Sequence, residues 1–262
     1  MQGHSKQVFK GKTALITGAS SGIGEEMARQ LAASGCHLIL VARRTERMLA
    51  LKSTLPSVSV SVIAADLSDP LAPQYVFDEV RRLGLHVDIL VNNAGFGLQQ
   101  PLLAVDQLGM VDVNVRSLLA LTQLFATPMA QQGQGWVLNV SSVSAWFPIP
   151  GMATYAASKA CVLHLSRALH EEWKPAGIVV TALCPGGTRT EFSSIARDRM
   201  DPDLEKAMMP ADVVAAAGLN ALARGKAVVV PGALYRMMVA LVRVLPGSWV
   251  TRLAGKVMGR HQ

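Results

Sequence analysis

A chain of 262 residues, 50% hydrophobic with 5% aromatic and 16% charged, can bury one large core and is too apolar to be disordered. Its net charge of +7 comes without an aromatic-rich or recognised nucleic-acid motif, which argues against nucleic acid as a partner. Cys36, Cys161 and Cys184 are odd in number and not spaced as metal ligands, no His-x-x-x-His pair exists, and Met1 to Phe9 holds no apolar stretch of signal-peptide length; zinc chemistry and secretion are therefore not expected, and a reducing, cytoplasmic compartment is.

The first predicted strand is Lys12 to Thr17. It runs straight into Thr17-Gly18-Ala19-Ser20-Ser21-Gly22-Ile23-Gly24 and a helix-period segment from Glu25 to Ala33. Strand, glycine loop and helix in that order make a phosphate site. Gly18 suits the tight turn, Gly22 lets the backbone approach an anion, and Gly24 lets the helix pack on the strand, with free N–H groups at the helix start. The second strand, Cys36 to Ala42, ends without the acidic residue that would accept hydrogen bonds from a ribose 2′-hydroxyl and leads into Arg43-Arg44. A guanidinium there suits a 2′-phosphate. Both arginines equally fit the solvated start of a helix running to Thr54, and that is the role expected of Arg44. Asp66, closing the strand Val58 to Ala65, precedes Leu-Ser-Asp and fits a turn or cap.

Two further apolar runs, Asp88 to Gly95 and Gly135 to Ser142, end in small polar residues, where an open parallel sheet meets its ligand. The proline-rich stretch from Trp146 to Gly151 cannot be helical and can fold Ser142 back towards Tyr155. Tyr155 and Lys159 stand one helical turn apart, so a phenol lies beside an ammonium, a charge expected to lower the phenol's pKa. A last strand, Ile178 to Cys184, leads into Pro185-Gly186-Gly187-Thr188-Arg189-Thr190. Glu191 to Met209, rich in charge and methionine, reads as a mobile substrate lid, which together with the end of the preceding loop covers 187–209.

From Val213 to Gln262 there are seven basic residues and no acidic one, so this stretch carries the whole net charge. Arg252, Lys256 and Arg260 fall on one helical face, with Trp249, Val250, Leu253 and Val257 towards another. Tyr235 to Leu245 is more apolar, and Pro246-Gly247 separates the two pieces. Neither piece can span a bilayer, but an amphipathic helix of this kind can lie on an anionic membrane surface. The other reading of 233–262 is a tail packed on the body or on a second subunit.

Thr17-Gly-x-x-x-Gly-x-Gly24, Asn92-Asn-Ala-Gly95, Ser142, Tyr155-x-x-x-Lys159 and Pro185-Gly186, in their order and spacing, resemble the short-chain dehydrogenase/reductase family from about Lys12 to Pro231. The resemblance implies one α/β domain, a Rossmann-type doubly wound parallel sheet, with hydride transfer between a nicotinamide and a carbonyl or alcohol and no metal. Carried onto this chain, it makes Tyr155 the general acid/base and Ser142 a hydrogen-bond donor to the same substrate oxygen. Lys159 would lower the phenol pKa and hold the nicotinamide ribose, and Asn114 would hold a water that relays protons to the lysine. Its cofactor positions are Gly18, Ser20, Ser21, Gly22, Ile23 and Gly24; Arg43, where NADP-preferring members carry a basic residue; Asp66, near the adenine; Asn92, Ala94 and Gly95; Tyr155 and Lys159; and Pro185, Gly186, Thr188 and Thr190 over the carboxamide.

The expected function is thus an NADP(H)-dependent oxidoreductase for a ketone or secondary alcohol. Phe96, Leu98, Trp146, Phe147, Ile149, Phe192 and Met208 suggest an apolar, lipid-, acyl- or steroid-like substrate. The alternative is a nucleotide-binding regulatory or scaffold protein without turnover. The resemblance also implies a homo-oligomer, and the basic tail suggests peripheral attachment to the inner face of a membrane.

Overall fold

The computed structural model describes residues 7–191 and 208–259, with side chains as far as Lys256. Its main strands are β1 (Thr13–Thr17), β2 (His37–Ala42), β3 (Val60–Ala64), β4 (Ile89–Asn92), β5 (Gly135–Val140), β6 (Ile178–Leu183) and β9 (Val228–Val229); two short strands, β7 (Thr188–Arg189) and β8 (Met209–Pro210), pair separately. The seven main strands form one sheet in the order β3-β2-β1-β4-β5-β6-β9, and every pairing is parallel. The expected doubly wound α/β fold is the one observed.

Parallel strands covered on both faces need apolar side chains on both, and the runs supply them by alternation. Ile16, Leu40, Val91 and Leu138 face one side, where Met27 and Leu31 of α1 (Gly22–Ala32) and Val214 and Leu222 of α7 (Ala211–Ala223) cover them. Leu15, Ile39, Leu90 and Val137 face the other, under Val76 and Val80 of α3 (Ala72–Arg82) and Leu121 and Phe125 of α5 (Leu118–Gln132). Each such side chain, fully withdrawn from water, contributes roughly 1.5–3 kcal/mol before the entropy loss is subtracted. Between β2 and β3 the chain forms α2 (Thr45–Ser53).

Helix α1 begins three residues before the predicted segment, because Gly22 to Gly24 already form its first turn. The short helix α4 (Leu108–Val111) continues through a π-helical stretch, Asp112–Ser117, into α5. A single-turn 3₁₀ piece, Val143–Trp146, follows β5 before the loop leading to α6 (Ala153–Glu172). Beyond β9 the chain forms α8 (Ala233–Val242) and α9 (Gly247–Gly259), parted near Pro246 as the sequence suggests. The strand order reverses between β1 and β4, so a crevice opens beyond their carboxyl ends.

Candidate active site

The crevice is built first by a tie between β1 and β4. Thr17 Oγ1 accepts the N–H groups of Asn93 and Ala94, both at 3.0 Å, while Asn93 Nδ2 donates to the carbonyls of Thr17 (2.9 Å) and Gly18 (3.2 Å). These bonds fix the glycine loop to the Asn-Asn-Ala-Gly turn. Gly18 and Gly22 both take left-handed φ (65° and 59°), the region that favours glycine. At Gly24 a Cβ would collide with the Gly18 backbone and the Asn93 amide, so α1 can approach only without one. Ser21 precedes α1 in an extended conformation without capping it through its side chain, leaving first-turn N–H groups aimed at the crevice.

Arg44 stands at the start of α2 and is exposed, as the sequence suggests, but its side chain also reaches the glycine loop. Its Nη2 donates to Ser21 Oγ (2.8 Å) and its Nε to Ser20 Oγ (3.3 Å), while Nη1 pairs with Glu191 at 2.7 Å. Arg47, close by on α2, also binds Glu191, whose carboxyl the two guanidiniums hold below its ordinary range. Arg43 points the other way: Nη1 lies 3.7 Å from Asp66 Oδ2. Asp66 uses its other oxygen to accept the Ser68 N–H (3.0 Å) and hydroxyl (2.8 Å), the turn role the sequence had left open. These hydrogen bonds, the backbone one first, hold its carboxyl below the usual value against partial burial.

Asn92 turns its side chain into the sheet, where Nδ2 donates to Thr122 Oγ1 (2.8 Å) and Asn139 Oδ1 (2.9 Å). Asn139 passes the network on to Ser166 (3.0 Å). Its neighbour in the motif, Asn93, is the one whose side chain shapes the glycine loop, a role the sequence did not single out.

On the other side of the crevice, β5 delivers Ser142 and α6 delivers Tyr155 and Lys159. Ser142 Oγ accepts the Ser144 N–H (3.1 Å), so the serine caps the 3₁₀ turn. Lys159 is only 5% exposed. Its Nζ donates to Val140 O (3.0 Å) and sits 5.9 Å from the Tyr155 ring centre, and Ser141 Oγ anchors the Lys159 carbonyl (2.7 Å). Burial depresses the ammonium to about 8. Nearby the Cys184 thiol, pushed up to about 12 by burial, stays neutral.

The phenol corrects the sequence expectation. Burial raises the Tyr155 pKa above its ordinary value, and hydrogen bonding with Ser142 and Ser144 offsets this only in part. The tyrosine sits in an apolar nest of Met110 and Met152, with Phe96, Leu98 and Ile149 against it, and this desolvation is the largest influence on it.

Asn114 lies in the π-helical stretch, 1% exposed. It donates from Nδ2 to Phe96 O (3.0 Å) and Ser158 Oγ (3.1 Å) and accepts the Phe96 N–H at Oδ1 (3.1 Å). A Cβ on Gly95 would lie 2.9 Å from Asn114 Oδ1 and 3.1 Å from Lys159 Nζ, so both polar groups converge on this glycine.

The rim comes from the Pro185 loop. Pro185 O accepts the Val143 N–H (2.9 Å), Thr188 Oγ1 donates to Gly186 O (3.1 Å), and the Gly187 N–H donates to the Tyr235 hydroxyl (3.0 Å). Thr190 lies beside Gly22, its Cγ2 3.0 Å from where a Cβ would stand, so this loop reaches the glycine turn. Of the expected apolar lining, Trp146 packs instead with Ala145, Leu163 and Cys184, under Arg243; Phe192 and most of the 187–209 lid fall outside the described residues. A groove of about 500 Å³ opens between 102–108, Val111 and Thr154.

Residues 12–201 match the model of the short chain dehydrogenase family. A very-long-chain 3-oxoacyl-CoA reductase of Anas platyrhynchos is 32% identical over 203 residues, covering 73% of this chain and 64% of the relative, so the chain spans under two thirds of that protein. Sulfoacetaldehyde reductase 2 of Chromohalobacter salexigens is 37% identical over 187 residues, 69% of this chain and 74% of the relative. The structure of a short-chain dehydrogenase from Sphingobium yanoikuyae in complex with NADPH superimposes with a TM-score of 0.77 at 33% identity, covering 90% of this chain and 96% of that one. Sequence motifs, sheet order and these likenesses agree: the chain belongs to the short-chain dehydrogenase family.

Proposed function

We propose that this chain is an NADP(H)-dependent oxidoreductase that interconverts an apolar ketone and its secondary alcohol, with Tyr155 as general acid/base. The observation that carries the reading is the convergence of a buried lysine, a buried asparagine and a serine-bonded phenol at the mouth of a glycine-loop crevice. A buried cation is expensive to keep, and a merely structural position would use an apolar residue.

The residues around the crevice suit a dinucleotide by their chemistry. The uncapped start of α1 and the glycine turn would hold the pyrophosphate, Arg44 with Ser20 and Ser21 a 2′-phosphate, and Lys159 with Tyr155 the nicotinamide ribose. Arg43 and Asp66 would flank the adenosine, with Ile23 and Ala94 contributing to the wall and Pro185, Gly186, Thr188 and Thr190 covering the carboxamide; Asn92, its side chain turned into the sheet, would stand behind the wall and not touch the cofactor through that side chain. The NADPH of the Sphingobium structure supports this choice of cofactor. When bound, the cofactor supplies or accepts the hydride.

The protein's part is proton and charge handling. Ser142 and Tyr155 would both donate to the substrate oxygen, stabilising the negative charge that develops as it is reduced. A phenol whose pKa is raised keeps its proton at neutral pH, ready to give it to an alkoxide. Lys159, buried beside it, can return a proton supplied along Asn114. The same shift works against oxidation of an alcohol, which needs the phenol deprotonated, so oxidation should accelerate into the alkaline range while reduction should not. The apolar nest of Phe96, Leu98, Met152 and Ile149 favours an aliphatic or ring-bearing substrate over a small anion, and the acyl-CoA reductase likeness supports that class.

Absorbance at the reduced-nicotinamide band, with NADPH and a panel of long-chain ketones, steroid ketones and sulfoacetaldehyde, tests both points. Tyr155→Phe should lower kcat by about 10²–10⁴-fold while NADPH still binds. Equal inertness of wild type and variant on the whole panel would favour the scaffold reading.

A further inference from the structure

The two last helices carry an apolar row that nothing among the described residues covers. On α8, Leu234, Met237 and Leu241 follow at three- and four-residue steps, and the row runs on through Val244 to Trp249 and Leu253 on α9. Each of these six is 56–78% exposed. Isolated exposed apolar residues are ordinary, but six large ones within twenty residues, on two consecutive helices and the turn between them, mark an interaction surface.

The opposite side of the same helices is firmly seated. Val239 and Val250 are buried, the Tyr235 hydroxyl holds the Gly187 N–H at 3.0 Å, Arg243 lies over the Trp146 ring at 5.5 Å, and Gly255 packs so closely on Pro150 that a Cβ would stand 3.2 Å from its ring. The helices therefore rest on the Val143–Gly151 and Pro185–Gly187 segments, beside the crevice, with the apolar row facing outward. Of the two readings of the tail, packing on the body is seen on the inner side of α8 and α9.

Charge selects the occupant. Arg236, Arg252 and Lys256 are exposed on these helices, and no acidic residue occurs after Asp212. A second copy docking through the same face by two-fold symmetry would oppose these cations to one another with no carboxylate from either tail to pair them. Membrane crossing is excluded for these elements by length: they have 10 and 13 residues, and no helix among the described residues is long and apolar enough to span. We propose that the outer face of α8 and α9 docks on an anionic lipid surface, with Trp249, Leu241 and Leu253 in the acyl boundary and the basic side chains among the headgroups. Such docking would set the crevice close to a lipid phase. The proposal stands on this surface alone and does not depend on the catalytic reading.

The test is sedimentation of the full chain with vesicles of phosphatidylcholine, with and without phosphatidylglycerol, at low and high salt, together with its mass in solution by ultracentrifugation. The wild type should pellet with the anionic vesicles, remain in the supernatant with the neutral ones, and be partly released by salt. Leu241→Glu and Trp249→Glu, at exposed positions where folding is unaffected, should each cut the vesicle-binding constant by about tenfold or more with an unchanged thermal melt. Equal recovery in the supernatant with both vesicle types would overturn the proposal. So would undiminished binding of both variants, or a drop in their solution mass relative to wild type, which would assign the row to a contact between copies.

Discussion

Lys159 illustrates what a single residue costs and supplies. In the unfolded chain its pKa is the ordinary 10.5, and burial lowers it to about 8 in the folded protein. At neutral pH the protein therefore folds around a cation it would rather not hold, at a cost of up to about 3 kcal/mol. Between pH 8 and 10.5 the unfolded chain keeps this proton while the folded one has released it, so the penalty fades as pH rises. Lys159→Met should then be more stable than wild type to urea at pH 7, with the gap closing towards about pH 10, and should have lost turnover; a variant less stable at neutral pH would show that the bond to Val140 outweighs the desolvation. The subtraction matters, because Cys36, raised from 9.0 to about 12, lowers the stability of both proteins equally in the alkaline range, whereas Cys184, whose rise the lysine charge partly offsets, costs the variant more there and helps to close the gap. Arg44 yields a second expectation. Removing it deletes charge-assisted bonds available only to a 2′-phosphate, so Arg44→Ala should weaken NADPH binding by about 10–100-fold and leave NADH nearly unchanged in fluorescence titrations, with a smaller loss for Arg43→Ala. Equal losses for the two coenzymes would reject the role. The motif residues Ser142, Tyr155 and Lys159 were legible because one helical turn and a short loop leave few ways to arrange them. Which of two adjacent arginines faces the glycine loop was not, because it turns on the backbone angles at Arg44 (φ −88°, ψ 83°), and the sequence contains no trace of that bend. The phenol's shift was misread for a related reason: a spacing of four reveals the neighbouring charge but not the apolar nest that desolvates both groups.

At the scale of elements, strands were the easiest to read, since a buried parallel strand is a short apolar run and each of β1 to β6 is one. Their packing partners were harder. The close approach of α1 to the sheet rests on Gly24, whose missing side chain leaves room for the Gly18 backbone and the Asn93 amide. Neither neighbour is the free end of a flexible chain: one is backbone and the other is bonded to Thr17 and Gly18. Gly24→Ala must therefore push the helix away from the turn, at roughly 1–3 kcal/mol as for other overpacked sites. It should lower the urea midpoint without changing the slope and should weaken both coenzymes alike, unlike Arg44→Ala; a variant as stable as wild type with unaltered NADPH affinity would mean that the turn yields freely. The π-helical stretch around Asn114 had no sequence signature either. It widens the helix where Asn114 must meet Phe96 and Ser158, in line with the tendency of such bulges to lie at functional sites.

Over the whole molecule, charge and chemistry are separated: residues up to Asp212 are neutral in sum and hold every motif, while the rest carries the +7. The sequence revealed this division, but composition could not say that the basic tail is wired to the crevice. Tyr235 makes that connection. Its ring fills the space over Gly186, where a Cβ would overlap it, and its hydroxyl accepts the Gly187 N–H at 3.0 Å, so α8 braces the loop proposed to cover the carboxamide. Tyr235→Phe keeps the ring and removes the acceptor, stranding one half-buried N–H. The expected cost is about 1 kcal/mol, or roughly fivefold, and it should fall on NADPH affinity and on KM for the cofactor more than on kcat, because the proton-handling residues are untouched. Vesicle binding should stay as in wild type, since Tyr235 faces the body and not the exposed row. Titration of NADPH fluorescence beside the sedimentation assay separates the two outcomes: a loss of lipid binding with full cofactor affinity would mean that this helix is held for its outer face alone, whereas the reverse pattern would make the tail a structural wall of the crevice.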